Sequence, residues 1–100
     1  MFCCEGEYVA LCDYGMRFSM NFSYAINNIK SNIYFVNDER IINAKSILGI
    51  ISANIHKGDI FRIRTFHGNS LEQAEKDFKS VHDIMVGDKY AVKYWQTGCA

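Results

Sequence analysis

The sequence predicts an α+β fold in which helices pack on one face of a four-stranded antiparallel sheet. Two kinds of pattern lead to this fold class: apolar residues that alternate mark strands, and apolar residues at helical spacing mark helices. These segments follow one another in the order β-α-β-β-α-β-α. The chain has 100 residues, of which 49% are apolar. That amount is enough for one hydrophobic core and too small for two.

The first half of the chain is predicted to contain a strand, a helix and a hairpin. Loose alternation in "EYVALCD" (residues 7–13) indicates the strand. A helix of about three turns follows, because apolar side chains recur on one face of it. These side chains are Phe18, Phe22, Ala25, Ile26 and Ile29. Two β-rich runs on either side of the polar turn "NDE" (residues 37–39) then predict a hairpin.

The second half is predicted to contain a short helix, a strand and a long helix. Ser46 begins the short helix, and "IFRIRTF" (residues 60–66) alternates strictly, which is typical of a strand with one buried face. Ser70 and Gln73 form a capping-box pattern at the start of the long helix. The apolar stripe of that helix comprises Leu71, Ala74, Phe78, Val81 and Met85.

The composition excludes several classes of protein. The 11 basic and 11 acidic residues balance and form no Lys/Arg block, so we expect no binding to nucleic acid or to an anionic membrane. No apolar run is long enough to span a bilayer. The N-terminal segment "MFCCEGEYVALC" lacks the basic region of a secretory signal. We therefore expect a cytoplasmic protein.

The cysteines show no metal-binding pattern. Cys3, Cys4, Cys12 and Cys99 include no C-x-x-C pair and no cysteine–histidine spacing typical of zinc. In a reducing cell we expect free thiols, with no metal and no cofactor. A disulfide or metal clip that joins the termini is the alternative.

The order of elements and several motifs resemble HPr, the histidine-containing phosphocarrier protein of the bacterial sugar phosphotransferase system. The resemblance runs from about Glu7 to Met85, and its most specific part is "NAKSILG" followed by "IHKGD"; "HGNSLEQA" also resembles the lead into the family's last helix. It implies an HPr-like open-faced β-sandwich, with a four-stranded antiparallel sheet and three helices on one face. It also implies a family domain over residues 1–86 and a C-terminal extension over residues 87–100.

The chain departs from the family at the histidine that accepts phosphate. The family motif G-[IL]-H-[AT]-R-P corresponds to "YGMRFSM" (residues 14–20) in this chain. The histidine position holds Gly15 without gaps, which puts Arg17 on the family's phosphate-contacting arginine, or holds Arg17 when the glycines are aligned. Because a phosphohistidine needs an imidazole nucleophile, we expect no catalytic residue here and no enzymatic activity. The remaining histidines are predicted to lie away from this helix start: His56, His67 and His82.

Ser46 is the candidate regulatory site. In Gram-positive relatives, the serine of N-x-K-S is phosphorylated by an ATP-dependent HPr kinase/phosphorylase and then recognised by the catabolite-control repressor or another protein. As an N-cap, Ser46 places its oxygen near free N–H groups, and Lys45 suits an approaching anion. Ile47 and Leu48 would provide an apolar patch beside the phosphate, and Arg17 is a further candidate anion contact.

The resemblance therefore implies a non-catalytic regulatory protein that resembles family members without the histidine. The alternative is a protein-interaction module that is not phosphorylated, and the remote alternative is a phosphocarrier that uses another residue. Alternating aromatic residues in the extension leave open an added strand, a short helix or a disordered end. They also make the extension a candidate for covering a sheet edge or for joining two copies into a homodimer.

Overall fold

The computed structural model describes the backbone of residues 2–99 and the side chains of residues 2–94. The predicted order of helices and strands is confirmed, and one further strand follows it. The elements in this range are β1 (Phe2–Ala10), α1 (Met16–Ala25), β2 (Asn32–Asn37), β3 (Arg40–Asn43), α2 (Ile47–Ala53), β4 (Ile60–His67), α3 (Leu71–Gly87) and β5 (Ala91–Cys99).

The described strands form one antiparallel sheet in the order β3-β2-β4-β1-β5. The α+β class and the hairpin between β2 and β3 are confirmed, whereas the predicted number of four strands is too low. The fifth strand arises because the extension pairs with β1, whose outer edge would otherwise expose unpaired N–H and C=O groups. A family resemblance that ends near residue 86 could not reveal this pairing.

Aromatic rings fill the core between α1 and the sheet. Tyr14 stacks on Phe18 with ring centroids 3.8 Å apart, and Phe18 lies 5.4 Å from Phe22. Phe35 of β2 meets Phe61 of β4 edge-on at 5.3 Å. Such pairs add about 0.5–1.5 kcal/mol beyond the burial of their area. The segment that enters α1 is therefore held firmly, because Tyr14 belongs to this cluster.

The prediction of free thiols is wrong for Cys4, which is fully buried and disulfide-bonded. Cys3 and Cys12 are free, as predicted. The backbone register of β1 and β5 sets Cys99 opposite Cys4. A disulfide requires Cα atoms within about 7 Å of each other, a separation that neighbouring strands provide and that sequence spacing does not reveal.

Within the described residues, no helix is both long enough and apolar enough to cross a membrane. The same part of the chain contains no group of three or more histidine, cysteine, aspartate or glutamate residues arranged to hold a metal ion.

Candidate functional site

Ser46 is the N-cap of α2, where the sequence predicts it. Its backbone is extended, and its Oγ accepts a hydrogen bond from the Gly49 N–H at 3.0 Å. This bond satisfies one of the donors that the first turn of a helix leaves without an intrahelical partner. The residue is half-buried, so a part of its surface faces solvent.

Gly49 leaves room around the Ser46 hydroxyl. A Cβ atom at position 49 would lie 3.2 Å from both Cβ and Oγ of Ser46 and 3.3 Å from the Asn43 carbonyl oxygen. These separations are shorter than ordinary van der Waals contacts, so any other residue would press on the serine. The glycine therefore keeps the hydroxyl uncrowded on the side of the helix.

The Lys45 ammonium forms a hydrogen bond with the turn that follows α1. Its Nζ donates to the Ile29 carbonyl oxygen at 2.6 Å, in the turn that follows α1. The Lys45 carbonyl oxygen accepts from Ser23 Oγ at 3.2 Å, and the Lys45 N–H donates to Asn43 Oδ1 at 2.9 Å. Through these hydrogen bonds, Lys45 links α1 and the turn after it to the start of α2. Its predicted role as an anion contact stays a prediction.

Exposed apolar side chains lie on α1 and α2, which pack against each other. On α2, Ile47 is 37% and Leu48 is 77% exposed. On α1, Met16, Met20 and Tyr24 are exposed, and their spacing of four places them on one side of the helix. We call these five residues the apolar surface. Exposed apolar residues on two helices that pack together are candidates for an interaction site.

Sequence reasoning found only the α2 part of the apolar surface. The α1 part carries a signal that the sequence does contain: Met16, Met20 and Tyr24 repeat at intervals of four and fall outside the core stripe. Arg17 is also exposed, in the first turn of α1.

The start of α1 contains Gly15 as its N-cap, and no side chain among the described residues caps it. His56 lies beside this helix start, so the prediction that it lies elsewhere is wrong. Asp13, Gly15 and His56 line one cavity of about 180 Å³. Nδ1 of His56 is 3.6 Å from Oδ1 of Asp13, and both side chains are more than half exposed.

Backbone pairing brings these distant residues together. The Tyr14 N–H donates to the Ile55 carbonyl oxygen at 2.9 Å, which joins the segment before α1 to the segment after α2. The Lys57 N–H donates to Asp13 Oδ1 at 2.9 Å and strengthens this junction. The sequence carries no spacing signal for the pair, because only the tertiary fold makes His56 and Asp13 neighbours.

The other two histidines lie away from the start of α1, as predicted. His67 closes the turn before α3, and its Nδ1 accepts from the N–H groups of Asn69 and Ser70 at 3.2 and 3.1 Å. His82 lies on α3, and its Nδ1 is 2.7 Å from the Tyr8 hydroxyl.

Burial sets the protonation of the Tyr8–His82 pair. Burial, then the charge of Lys93, lowers the pKa of His82, and the Lys79 charge acts in the same direction while Asp83 opposes it. Burial, assisted by Asp83, raises the pKa of Tyr8 to about 12. At neutral pH a protonated tyrosine and a neutral imidazole therefore share the hydrogen bond between the Tyr8 hydroxyl and His82 Nδ1.

A larger depression of about 420 Å³ lies elsewhere and includes none of the predicted site residues. Among its lining groups, the Asn37 side-chain amide donates to the Ala53 carbonyl oxygen at 3.4 Å, and Arg40 donates to the Ser52 carbonyl oxygen at 3.0 Å. These polar groups hold β2 and β3 to α2.

Solved structures share this fold. The histidine-containing phosphocarrier protein of a mycoplasma matches with a TM-score of 0.71 and 17% identity over 86% of this chain and 96% of that one. HPr-C-His from Thermoanaerobacter tengcongensis matches with a TM-score of 0.64 and 22% identity over 84% of this chain and 93% of that one. The phosphocarrier protein HPr of Bacillus anthracis str. Ames matches with a TM-score of 0.63 and 24% identity over 78% of this chain and 95% of that one.

Sequence comparison supplies the family. No curated protein matches the chain. A family profile described as "PTS HPr component phosphorylation site" matches residues 14–85, which is most of the sequence. The predicted resemblance is thus confirmed, and the chain belongs to the HPr family of the phosphotransferase system.

Proposed function

We propose that this HPr-family protein is a non-catalytic regulator of the phosphotransferase system and of carbon catabolite control. It acts in the cytoplasm, is phosphorylated on Ser46 by an ATP-dependent HPr kinase, and is then recognised by a protein partner. The observation that carries this proposal is the Ser46 hydroxyl itself, which Gly49 leaves uncrowded and which adjoins the exposed Ile47 and Leu48.

The start of α1 supports a regulator over a carrier that uses the family position. That position holds Gly15 or Arg17, depending on the alignment. Glycine has no side chain, and the guanidinium of arginine stays protonated, so neither provides a nucleophile for a phosphorylated intermediate.

In the proposed reaction, Ser46 Oγ attacks the γ-phosphorus of ATP. An O–P bond forms, the bond to ADP breaks, and the hydroxyl proton passes to a base of the kinase. The product gains a charge of about −1.5 to −2 and three strong acceptor oxygens. A partner would then bind the phosphate together with Ile47 and Leu48. Lys45 would contact the phosphate only after leaving the Ile29 carbonyl oxygen.

The test is intact mass after incubation with ATP and an HPr kinase. We expect one added phosphate in the wild type and none in Ser46→Ala. The matched control is Ser70→Ala, because Ser70 caps α3 in the same way and accepts from the Gln73 N–H at 3.1 Å. The control should still gain one phosphate. A wild type that gains none, or a Ser46→Ala variant that still gains one, would contradict the proposal.

The apolar surface favours a second function, in which the protein binds a partner without being phosphorylated. Residues that are exposed in this way, with Tyr24 at 87% and Leu48 at 77%, would be buried against that partner. A second copy of the chain is one such partner. Light scattering tests the homodimer, and Leu48→Lys should shift a dimer towards monomer.

A further inference from the structure

The face of the sheet that lies away from the helices has no part in the proposed Ser46 function. Side chains alternate along a strand, so the residues between the buried ones of β1 and β4 point to this face, which we call the open face. At its centre, β1 and β4 contribute four pairs that lie opposite each other in the register. These pairs are Cys3 with Phe66, Glu5 with Arg64, Glu7 with Arg62, and Val9 with Ile60. Each pair joins either two opposite charges or two apolar side chains, since a free cysteine behaves as a small apolar residue.

The charges of the open face are not fully satisfied within one chain. Arg62 lies opposite Glu7 in the register, but its Nη1 is 3.3 Å from Oε1 of Glu5. Nη2 of Arg64 donates to the same oxygen at 3.2 Å, and its Nε is buried without a hydrogen-bond partner among the described residues. Glu7 forms no ion pair with any residue that the structure describes. Two arginines therefore share one carboxylate, beside a second carboxylate that lacks a cation.

Apolar side chains on the open face remain exposed around these charges. Ile41 and Ile60 are more than half exposed, and Val92 is 44% exposed. The register sets Val92 beside Val9 and Ile41 beside Val36, so apolar residues lie on both sides of the charged centre. A sheet face that meets water normally carries polar residues. Exposed apolar residues in this arrangement indicate that another protein surface covers the open face.

The four register pairs fit a second copy of this chain, placed face to face. Packed sheets lie about 10 Å apart with their strands nearly aligned. A two-fold axis that runs parallel to the strands, between β1 and β4, places β1 of one copy over β4 of the other. Glu7 then faces Arg62 of the second copy, and Val9 faces Ile60 of that copy. The axis forms every contact twice, whereas a partner surface of a single charge would leave half of the charged residues unmatched.

We propose that the open face is the interface of a symmetric homodimer, in which Glu7 of each copy binds Arg62 of the other. Charge complementarity between the two copies is the basis for this choice of partner. The interface differs from the apolar surface on α1 and α2, because those helices pack on the other face of the sheet. Ser46 begins α2, so the dimer forms independently of its phosphorylation.

Sedimentation velocity over a concentration series tests the dimer. We expect the wild type to be dimeric at about 100 μM, well above the micromolar dissociation constants of weak interfaces. Glu7→Arg and Arg62→Glu should each weaken association at least about tenfold, because each sets like charges against each other at two places. Glu75→Arg is the matched control, since it makes the same charge change at an exposed position of α3. This control should dimerise like the wild type.

A mixture of the two charge-reversal variants gives the sharper test. When Glu7→Arg chains meet Arg62→Glu chains, both contacts again join opposite charges, so a heterodimer should form although neither variant dimerises alone. Such rescue requires folded chains and therefore separates a lost contact from a lost fold. A wild type that stays monomeric, or folded variants that stay monomeric when mixed, would overturn the proposal. A dimer that Leu48→Lys disrupts and Glu7→Arg leaves intact would also overturn it, and would assign the contact to the apolar surface.

Discussion

At the residue scale, the Lys45 side chain joins the turn after α1 to the start of α2. The bond from Nζ to the Ile29 carbonyl oxygen, at 2.6 Å, lies in a half-buried position, where water competes less for the ammonium. Lys45, which precedes Ser46, therefore has a structural role. Any partner that draws Lys45 towards a phosphate on Ser46 would also loosen this connection.

Replacing Lys45 tests that connection. We expect Lys45→Met to lower the free energy of unfolding by about 1 kcal/mol, the typical contribution of one hydrogen bond. Urea denaturation measures the change. Lys30→Met is the matched control, because Lys30 is an exposed lysine in the same turn. Equal stability of the two variants would show that the ammonium contributes nothing there.

The Tyr8–His82 pair predicts how stability depends on pH. Because the pKa of His82 is lowered in the folded protein, the unfolded chain binds more protons just below the ordinary histidine pKa of about 6.5. The free energy of unfolding should therefore fall as pH drops through this range towards the lowered pKa. Urea unfolding at several pH values measures the slope. A His82→Gln variant with the wild-type slope would contradict this assignment.

Because the pKa of Tyr8 is raised to about 12, the free energy of unfolding should fall as pH rises in the alkaline range. The folded protein retains the Tyr8 proton where the unfolded chain has lost it, so stability should fall between about pH 10 and pH 12. Far-ultraviolet circular dichroism across this range measures the loss. In Tyr8→Phe the pair no longer titrates, and a loss of unchanged size there would rule out Tyr8 as its source.

At the element scale, α3 is fixed to the loop before β2 by a buried carboxylate. Asp77 is 6% exposed, and its Oδ2 accepts from the Ser31 N–H at 2.9 Å and the Ser31 hydroxyl at 2.5 Å. Gln73 donates to the other oxygen at 2.9 Å. An acidic residue on a core-facing position was not predicted, because helical spacing distinguishes apolar from polar residues and does not identify the partners of a buried charge.

Removing this carboxylate should cost more than removing an exposed one on the same helix. We expect Asp77→Ala to lower the free energy of unfolding by about 1–3 kcal/mol, because it leaves the buried Ser31 donors without their acceptor. The control is Asp83→Ala, whose carboxylate is exposed and lies 3.4 Å from Lys79 Nζ. Chemical denaturation compares the variants. A cost no greater for Asp77→Ala than for the control would contradict the anchoring role.

The features of helices that depend only on spacing along the chain could be predicted from the sequence. The stripes of α1 and α3 and the Ser46 and Ser70 caps could be recognised because spacing along the chain fixes which side chains share a face. Ala25 is the exception, because it was placed in the core stripe of α1 and is exposed. The start of α1 was harder to predict, because the apolar residues from Met16 to Phe22 alternate as in a strand and also recur at helical spacing. The Asp13–His56 pair could not be recognised, because its geometry depends on how two distant turns meet.

At the scale of the whole molecule, β5 pairs with β1 and becomes an edge strand of the sheet, and Cys4 of β1 is disulfide-bonded. β5 pairs along most of β1, with register shifts between Glu5 and Gly6 and between Glu7 and Tyr8. The first four strands were predicted from the sequence, because apolar residues alternate or β-rich runs flank a turn within each of them. The sequence did not determine the structure of the extension, because local periodicity does not reveal pairing between strands that are far apart in sequence.

Reduction tests how much the disulfide stabilises this arrangement. We expect an alkylating reagent to label Cys3 and Cys12 in the native protein, and Cys4 only after a reductant is added. Reduction should lower stability by about 2–4 kcal/mol, the typical contribution of a disulfide. Thermal unfolding with and without reductant measures this, and Cys12→Ser serves as the control. Labelling of Cys4 without reductant would contradict the presence of this disulfide.

The position of β1 between β4 and β5 has a consequence for synthesis on the ribosome. The first strand to emerge has both of its neighbours far downstream, because β4 spans Ile60–His67 and β5 spans Ala91–Cys99. Pairings between distant segments form slowly, and a strand without neighbours is prone to aggregate while it waits. Strand β1 therefore stays unpaired until β4 has been synthesised, and its second edge is covered only after β5 has left the exit tunnel.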